Sequence, residues 1–319
     1  MRFERMKSKI RELREVAAWP EMSDLIDRAI HREWISVWDY PVAACQAVGG
    51  TEEQSLSGAA AVFCSVVSIH LVDDMLDDDP RGDYHRLGIG PAANLALAFQ
   101  ALGHRLLDEP PLDPPVRSNL QAIFAGMSLA TAYGQSLDAR ELTSEQEYWR
   151  TVESKTPPLF AAALEIGALL GGASSQVAKQ LAHFGHVLGL FVQVSDDLSD
   201  ALQIPARADW QKGSNNLPIL YALTAEHPDR EEFRRLVSHV DDPESLALAQ
   251  RILLRCGAVS YCAFKLLEFA REARSSLARI PLGNPDPIAR LLDLNMRPLH
   301  KLFESVGVEE PTELALHTV

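Results

Sequence analysis

Residues 58–79 read Gly-Ala-Ala-Ala-Val-Phe-Cys-Ser-Val-Val-Ser-Ile-His-Leu-Val-Asp-Asp-Met-Leu-Asp-Asp-Asp, an apolar run that stops abruptly in aspartates. A stretch this apolar, with no period-two alternation, is expected to be a helix packed on all sides. Residues 188–200, Leu-Gly-Leu-Phe-Val-Gln-Val-Ser-Asp-Asp-Leu-Ser-Asp, repeat the plan. Each run ends in Asp-Asp-x-x-Asp, giving Asp73, Asp74 and Asp77 in the first and Asp196, Asp197 and Asp200 in the second. Two acidic clusters are thus delivered from the protein interior. The first run is broken by Ser65, Ser68 and His70 and closes on charges, so it falls short of a membrane span.

Outward from these runs, apolar residues recur at three- and four-residue intervals, and turn-bounded alternating strands are hard to find. Breakers fall at Gly49-Gly50, 80–90, 109–115, Gly171-Gly172, 205–216, His227-Pro228 and 281–287. The pattern predicts an all-α protein of roughly ten or more helices in one large domain over residues 1–319, with no linker, low-complexity tract or solenoid repeat.

Of the 319 residues, 47% are hydrophobic, ample for a sizeable core, and the formal net charge is -14. So acidic a chain (pI ≈ 5.2) does not suit nucleic-acid binding. Any anion it binds must be held by local cations or by metal ions. Cys45, Cys64, Cys256 and Cys262 lack metal-ligand spacing and read as reduced core residues. The charged N-terminus has no signal-peptide core, which gives a cytoplasmic, non-transmembrane expectation. Arg2, Arg5, Lys7, Lys9, Arg11 and Arg14 could face an anionic membrane surface, but Glu4, Glu12 and Glu15 are interspersed, and a solvated helix face is the expectation.

On a helix, residues i and i+4 share a face, so Asp73 with Asp77, and Asp196 with Asp200, can each grip one ion, while Asp74 and Asp197 point about 100° away. Crowded carboxylates at the end of an apolar helix repel and lose hydration unless cations neutralise them. Magnesium binds through one or two carboxylates plus substrate phosphates, so two such half-sites imply a phosphate between them. One acidic run alone would be an ordinary solvated helix end. Two of identical spacing, each after a buried helix, point to function. A di-iron carboxylate bundle would need Glu-x-x-His pairs, which are absent.

With these clusters in view, residues from about 35 to 280 resemble the trans-isoprenyl diphosphate synthases (polyprenyl synthetases). Gly134-Gln135-Ser136-Leu137-Asp138 is similar to that family's Gly-Gln-x-x-Asp. Lys155-Thr156-Pro157-Pro158-Leu159-Phe160 is similar to its Lys-Thr-x-x-Leu-Phe, and 191–197 to its Phe-Gln-x-x-Asp-Asp lead into the second cluster. The resemblance implies an isoprenoid-synthase bundle around a central cavity and a homodimer. It also implies three magnesium ions, held chiefly by Asp73, Asp77 and Asp196, around the diphosphate of an allylic prenyl substrate. Asp74, Asp197 and Asp200 complete the candidate metal set. The metal ions and Lys155 would meet the charge developing on the leaving diphosphate. Thr156 and Gln193 occupy the motif positions that stabilise the allylic cation, and the apolar interior keeps water from quenching it. The tail would run alongside Ile69, Val66 and Val62. Ile69 and Ser68 stand where a bulky aromatic closes the tunnel floor in the family, which favours a longer hydrocarbon unless a neighbouring helix closes it. The bland reading of Ser68 is a helix-packing serine bonded to its own backbone.

The sequence also departs from the pattern. The Gly-Gly-Lys-Arg segment that holds isopentenyl diphosphate is not found; the region reads His31-Arg32-Glu33-Trp34-Ile35-Ser36-Val37-Trp38-Asp39-Tyr40-Pro41. Val66 replaces the usual His or Gln. The paired arginines after the first cluster reduce to Arg81, with His85 and Arg86 nearby. In the loop after the second cluster, Ser214 stands where lysine is expected, and Lys212 or Arg207 could supply the charge or be exposed loop cations. Arg81 and Lys212 are therefore the candidate substrate-binding cations. The leading expectation is a divergent prenyl diphosphate synthase, with isopentenyl diphosphate as candidate second substrate. The alternatives are a terpene cyclase or a prenyltransferase with another acceptor, and a non-catalytic subunit of a heteromeric synthase. Trp34, Trp38 and Tyr40 could stabilise cations by their π faces or serve as core.

Overall fold

A computed structural model describes residues 2–29, 36–109, 112–207, 210, 213 and 215–306. Among these the regular structure is helical throughout, as the periodicity predicts. The chain divides into two compact units. One comprises Met1–Ala132, Pro158–His186 and Ser276–Leu291; the other comprises Tyr133–Pro157, Val187–Ser275 and Leu292–Val319.

The first unit is organised by the Glu52–Leu76 helix. Thr51 opens it with a capping box: its hydroxyl accepts the Gln54 N–H at 3.4 Å, and the Gln54 side chain accepts the Thr51 N–H at 2.8 Å. Ser55 through Ser68, and Leu71, are buried. By length and composition this helix could cross a membrane, yet 83% of its most apolar window is buried inside the protein, as in a core helix. It packs against Ile89–Asp108, Tyr40–Ala47 and Arg2–Arg11. The Gly49-Gly50 and Gly171-Gly172 breaks meet: a Cβ on Gly50 would lie 2.7 Å from the Gly171 Cα, so the two helix ends approach through glycine alone.

On the Arg2–Arg11 helix Arg5 is exposed, as a solvated face requires, whereas Lys7 is buried. Lys7 is 7% exposed and pairs with Asp27 at 3.1 Å. Arg11 reaches the same carboxylate at 2.6 Å, Arg5 pairs with Glu52 at 3.0 Å, and Lys9 pairs with Glu109 at 3.1 Å. Trp38 and Tyr40 are core: Trp38 packs edge-on to Phe63 at 5.4 Å and Tyr40 to Phe160 at 5.2 Å. Trp34, and the rest of 30–35, lie outside the described residues. All four cysteines are free thiols, and Cys45, Cys64 and Cys262 are buried.

The second unit gathers the Leu217–Thr224, Arg230–Val237 and Pro243–Arg255 helices around Trp210, Phe233, Ile219 and Leu253. Trp210 is fully buried and lies 6.1 Å from the Phe233 ring, anchoring the segment that follows the second aspartate run.

Candidate active site

In the first unit, Asp73 lies in the last turn of the Glu52–Leu76 helix and Asp77 caps it, donating its N–H to the Asp73 carbonyl at 2.9 Å. Their carboxylate oxygens come within 4.8 Å of each other, within reach of a single cation. A helix C-terminus carries the negative end of the peptide dipoles, so aspartates here raise the local demand for positive charge. The donor set is oxygen only, which fits a hard divalent ion such as magnesium. Asp74 turns elsewhere, onto a recess it shares with Ala29, His70 and Asp83.

Downstream members of the run have protein partners. Tyr84 donates to Asp78 at 2.7 Å, and burial, followed by this bond and the charge of Asp78, pushes the phenol up to about 12. Arg81 makes a two-pronged contact with Asp79, at 3.0 and 2.6 Å, and adds its backbone N–H at 2.8 Å. The nearby Arg86 is held by Asp24 at 2.7 Å and Asp83 at 3.5 Å. Both described cations expected near the first run are therefore engaged with carboxylates of the chain itself.

In the second unit, the Glu145–Lys155 helix ends where Pro157 begins the next, because proline cannot donate the N–H that would continue it. Lys155 and Thr156 sit at this break. Glycines admit it on two sides: a Cβ on Gly134 would lie 2.5 Å from the Lys155 nitrogen, and one on Gly189 would lie 2.6 Å from the Pro157 Cα. The first approach sets Lys155 against Asp138, at 2.7 Å. Asp138 is further held by Asn215, whose amide donates to its carbonyl at 2.5 Å and its carboxylate at 3.3 Å. The second sets the Ser175–Leu202 helix beside the break, where the Thr156 hydroxyl donates to Gln193 Oε1 at 2.5 Å.

Further along that helix, Asp196 is exposed and Asp200 half-buried, one turn apart. Arg207 lies 3.9 Å from Asp200 and donates to Gln203 at 2.5 Å. Asp197 takes another place. It is 3% exposed and accepts the Gln193 Nε2–H at 2.8 Å on one oxygen. Its other oxygen accepts the Tyr148 hydroxyl at 2.6 Å and the Leu217 N–H at 2.9 Å. Asn216 donates to its carbonyl at 2.8 Å. Burial first, and then the Asp197 charge, raise the fully buried Tyr148 phenol well above its usual range. Lys212 lies outside the described residues.

Tyr148, Asp138, Asn215 and Asn216 are the site neighbours that sequence reading did not assign. Asp138 was visible as the last residue of Gly-Gln-x-x-Asp, and the asparagines as the altered loop. Tyr148 carries no local signal.

A family model described as polyprenyl synthetase matches residues 41–253. The chain is similar to a short chain isoprenyl diphosphate synthase of Methanothermobacter thermautotrophicus, 31% identical over 252 residues, covering 73% of this chain and 76% of that protein. It is also similar to a geranylgeranyl diphosphate synthase of Methanosarcina mazei, 27% identical over 247 residues, covering 74% and 76%. In fold it matches a polyprenyl synthase from Caulobacter crescentus, with a TM-score of 0.78 at 23% identity over 93% of each chain.

Proposed function

The chain belongs to the polyprenyl synthetase family and is a prenyltransferase of isoprenoid biosynthesis, and we propose that it is a magnesium-dependent trans-polyprenyl diphosphate synthase. In this reading Asp73 and Asp77, with Asp196 and Asp200, hold three magnesium ions on the diphosphate of an allylic prenyl substrate. The ions neutralise the departing diphosphate. Lys155, fixed by Asp138, adds a positive charge at the leaving group. Thr156 donates its proton to Gln193, which leaves the hydroxyl lone pairs to face an electron-poor allylic fragment. Isopentenyl diphosphate is the second substrate, with Arg81 and Lys212 as its candidate cations, and the enzyme works as a cytoplasmic homodimer.

The observation that carries this reading is the oxygen array at the Lys155–Pro157 break, locked by Gln193, Asp197 and Asp138. Acceptor oxygens held in place in this way can stabilise a positively charged fragment. A second reading, cyclisation or transfer to another acceptor, is favoured by Arg81 and Arg86 being engaged with Asp79, Asp24 and Asp83. One assay separates the two. The protein is incubated with magnesium chloride and geranyl, farnesyl or geranylgeranyl diphosphate, with and without isopentenyl diphosphate. Longer diphosphates formed only with isopentenyl diphosphate support elongation. Hydrocarbons or alcohols formed equally without it overturn elongation in favour of the second reading.

A further inference from the structure

A carboxylate can only accept hydrogen bonds, and this fixes the direction of the three that Tyr148, Leu217 and Gln193 make to Asp197. Tyr148 must donate its phenolic proton, and the Leu217 N–H must point inward. The side-chain amide of Gln193 must turn its NH2 toward Asp197, which delivers its oxygen to Thr156. Without a pure acceptor at Asp197 the amide could rotate by half a turn and place N–H groups where the oxygen stands. An N–H dipole repels a neighbouring cation, whereas a carbonyl oxygen attracts it. Three donors occupy most of the carboxylate's acceptor directions, two on one oxygen and one on the other, and the side chain is 3% exposed, so access for a metal ion is confined.

We infer that Asp197 is a positioning residue and not a metal ligand: with Tyr148 behind it, it orients the Gln193 amide so that oxygen, and not N–H, serves the Thr156 side of the allylic site. The role rests on the proposed allylic chemistry. The two aspartates flanking it in the run, Asp196 and Asp200, keep the metal task. Identical letters in the Asp-Asp-x-x-Asp pattern thus divide into two jobs by the direction each side chain takes from the helix. Tyr148 enters the machinery three hydrogen bonds away from Thr156, through Asp197 and Gln193.

The test compares Asp73→Asn, Asp197→Asn and Tyr148→Phe in two measurements on the full chain. The first is the rise in melting temperature given by magnesium chloride with inorganic diphosphate, which needs no turnover. Asp73→Asn is expected to lose this rise, while Asp197→Asn and Tyr148→Phe keep it. The second is steady-state turnover of farnesyl diphosphate with isopentenyl diphosphate. Tyr148→Phe and Asp197→Asn are expected to lower kcat by about 10- to 100-fold at unchanged KM and unchanged magnesium half-saturation. The double variant Asp197→Asn with Gln193→Glu is expected to recover part of that turnover. It exchanges the two groups, so that the amide now at position 197 donates to one oxygen of the carboxylate now at position 193, and the other oxygen accepts from Thr156.

An Asp197→Asn variant that loses the magnesium diphosphate shift as Asp73→Asn does overturns the inference, as does a Tyr148→Phe variant with unchanged kcat. If Asp197→Asn does not fold, Tyr148→Phe, which removes a single oxygen, decides. A wild type that shows the shift without any turnover counts against the proposed reaction, and the shift of the Asp197 variant still decides whether Asp197 is a ligand.

Discussion

Gly134 and Gly189 show how single residues set the backbone around the candidate site, because each leaves room for backbone where any side chain would collide. Alanine at either position would put a Cβ within 2.6 Å of the Lys155–Pro157 backbone, which would have to shift. Gly134→Ala and Gly189→Ala are expected to lower kcat by about 100-fold, as ångström-scale misplacement of a reacting group does, while circular dichroism stays native. Unchanged kcat in both would remove the argument for close approach. Gly134 was legible as the first letter of Gly-Gln-x-x-Asp. Gly189 was not, since a glycine in an apolar helix looks the same whether or not a neighbour presses on it. Asp197 shows the limit from the other side. Its spacing marks it as a ligand candidate, and only burial with Tyr148, Gln193 and Leu217 distinguishes it from Asp196 and Asp200.

At the scale of elements, the Glu52–Leu76 helix begins on a capping box and is expected to lose about 1 kcal/mol of stability in Thr51→Ala, read as a lower denaturant midpoint at constant m-value. No change would show that the cap is redundant with the buried face. The signal, Thr51-Glu52-Glu53-Gln54, was present in the sequence, although the apolar run after it was enough to place the helix. Ser68 illustrates what the run could not show. Its hydroxyl donates to the Ala96 carbonyl on the Ile89–Asp108 helix at 2.8 Å, a helix-packing bond made across helices and not to its own turn as the bland reading had it. A bulky residue there overpacks the helix pair, so Ser68→Phe is expected to destabilise the fold by about 1–3 kcal/mol. Ile69 is only half-buried, and Ile69→Phe is expected to shorten the major product with little change in melting temperature. Equal product lengths for Ile69→Phe and wild type would take the tail path away from this helix face. The basic first helix was legible as a helix, but its ion pairs with Asp27, Glu52 and Glu109 depend on chain folding that spacing does not encode.

For the molecule as a whole, the buried phenols and thiols fix the sign of the alkaline response. Tyr84, Tyr148 and Tyr261 each donate to a carboxylate, and burial with that neighbouring charge raises all three. Burial likewise raises Cys45, to about 11, and Cys64 and Cys262. These groups hold their protons longer when folded than unfolded, so their contribution is complete below the unfolded values and is lost as pH rises past them. Melting temperature is expected to fall above about pH 8.5, where unfolded thiols ionise, and more steeply above about pH 10, where unfolded phenols do. A melting temperature that rises across that range would contradict the assignment. The all-helical class and both aspartate runs were legible in periodicity and spacing. The division of the chain into two units was not, because the crossings at 132/133, 157/158, 186/187, 275/276 and 291/292 fall within or beside helices and leave no linker to read. In the proposed reaction both aspartate runs serve a magnesium-assisted departure of diphosphate from an allylic substrate. Diphosphate released from farnesyl diphosphate, in the presence of isopentenyl diphosphate, measures it most directly in wild type, Asp73→Asn and Asp196→Asn over a magnesium titration. The expected result is magnesium-dependent release in wild type and at least about a 100-fold loss in each variant. Release that is independent of magnesium, or equal in all three proteins, would contradict a metal role for the two runs.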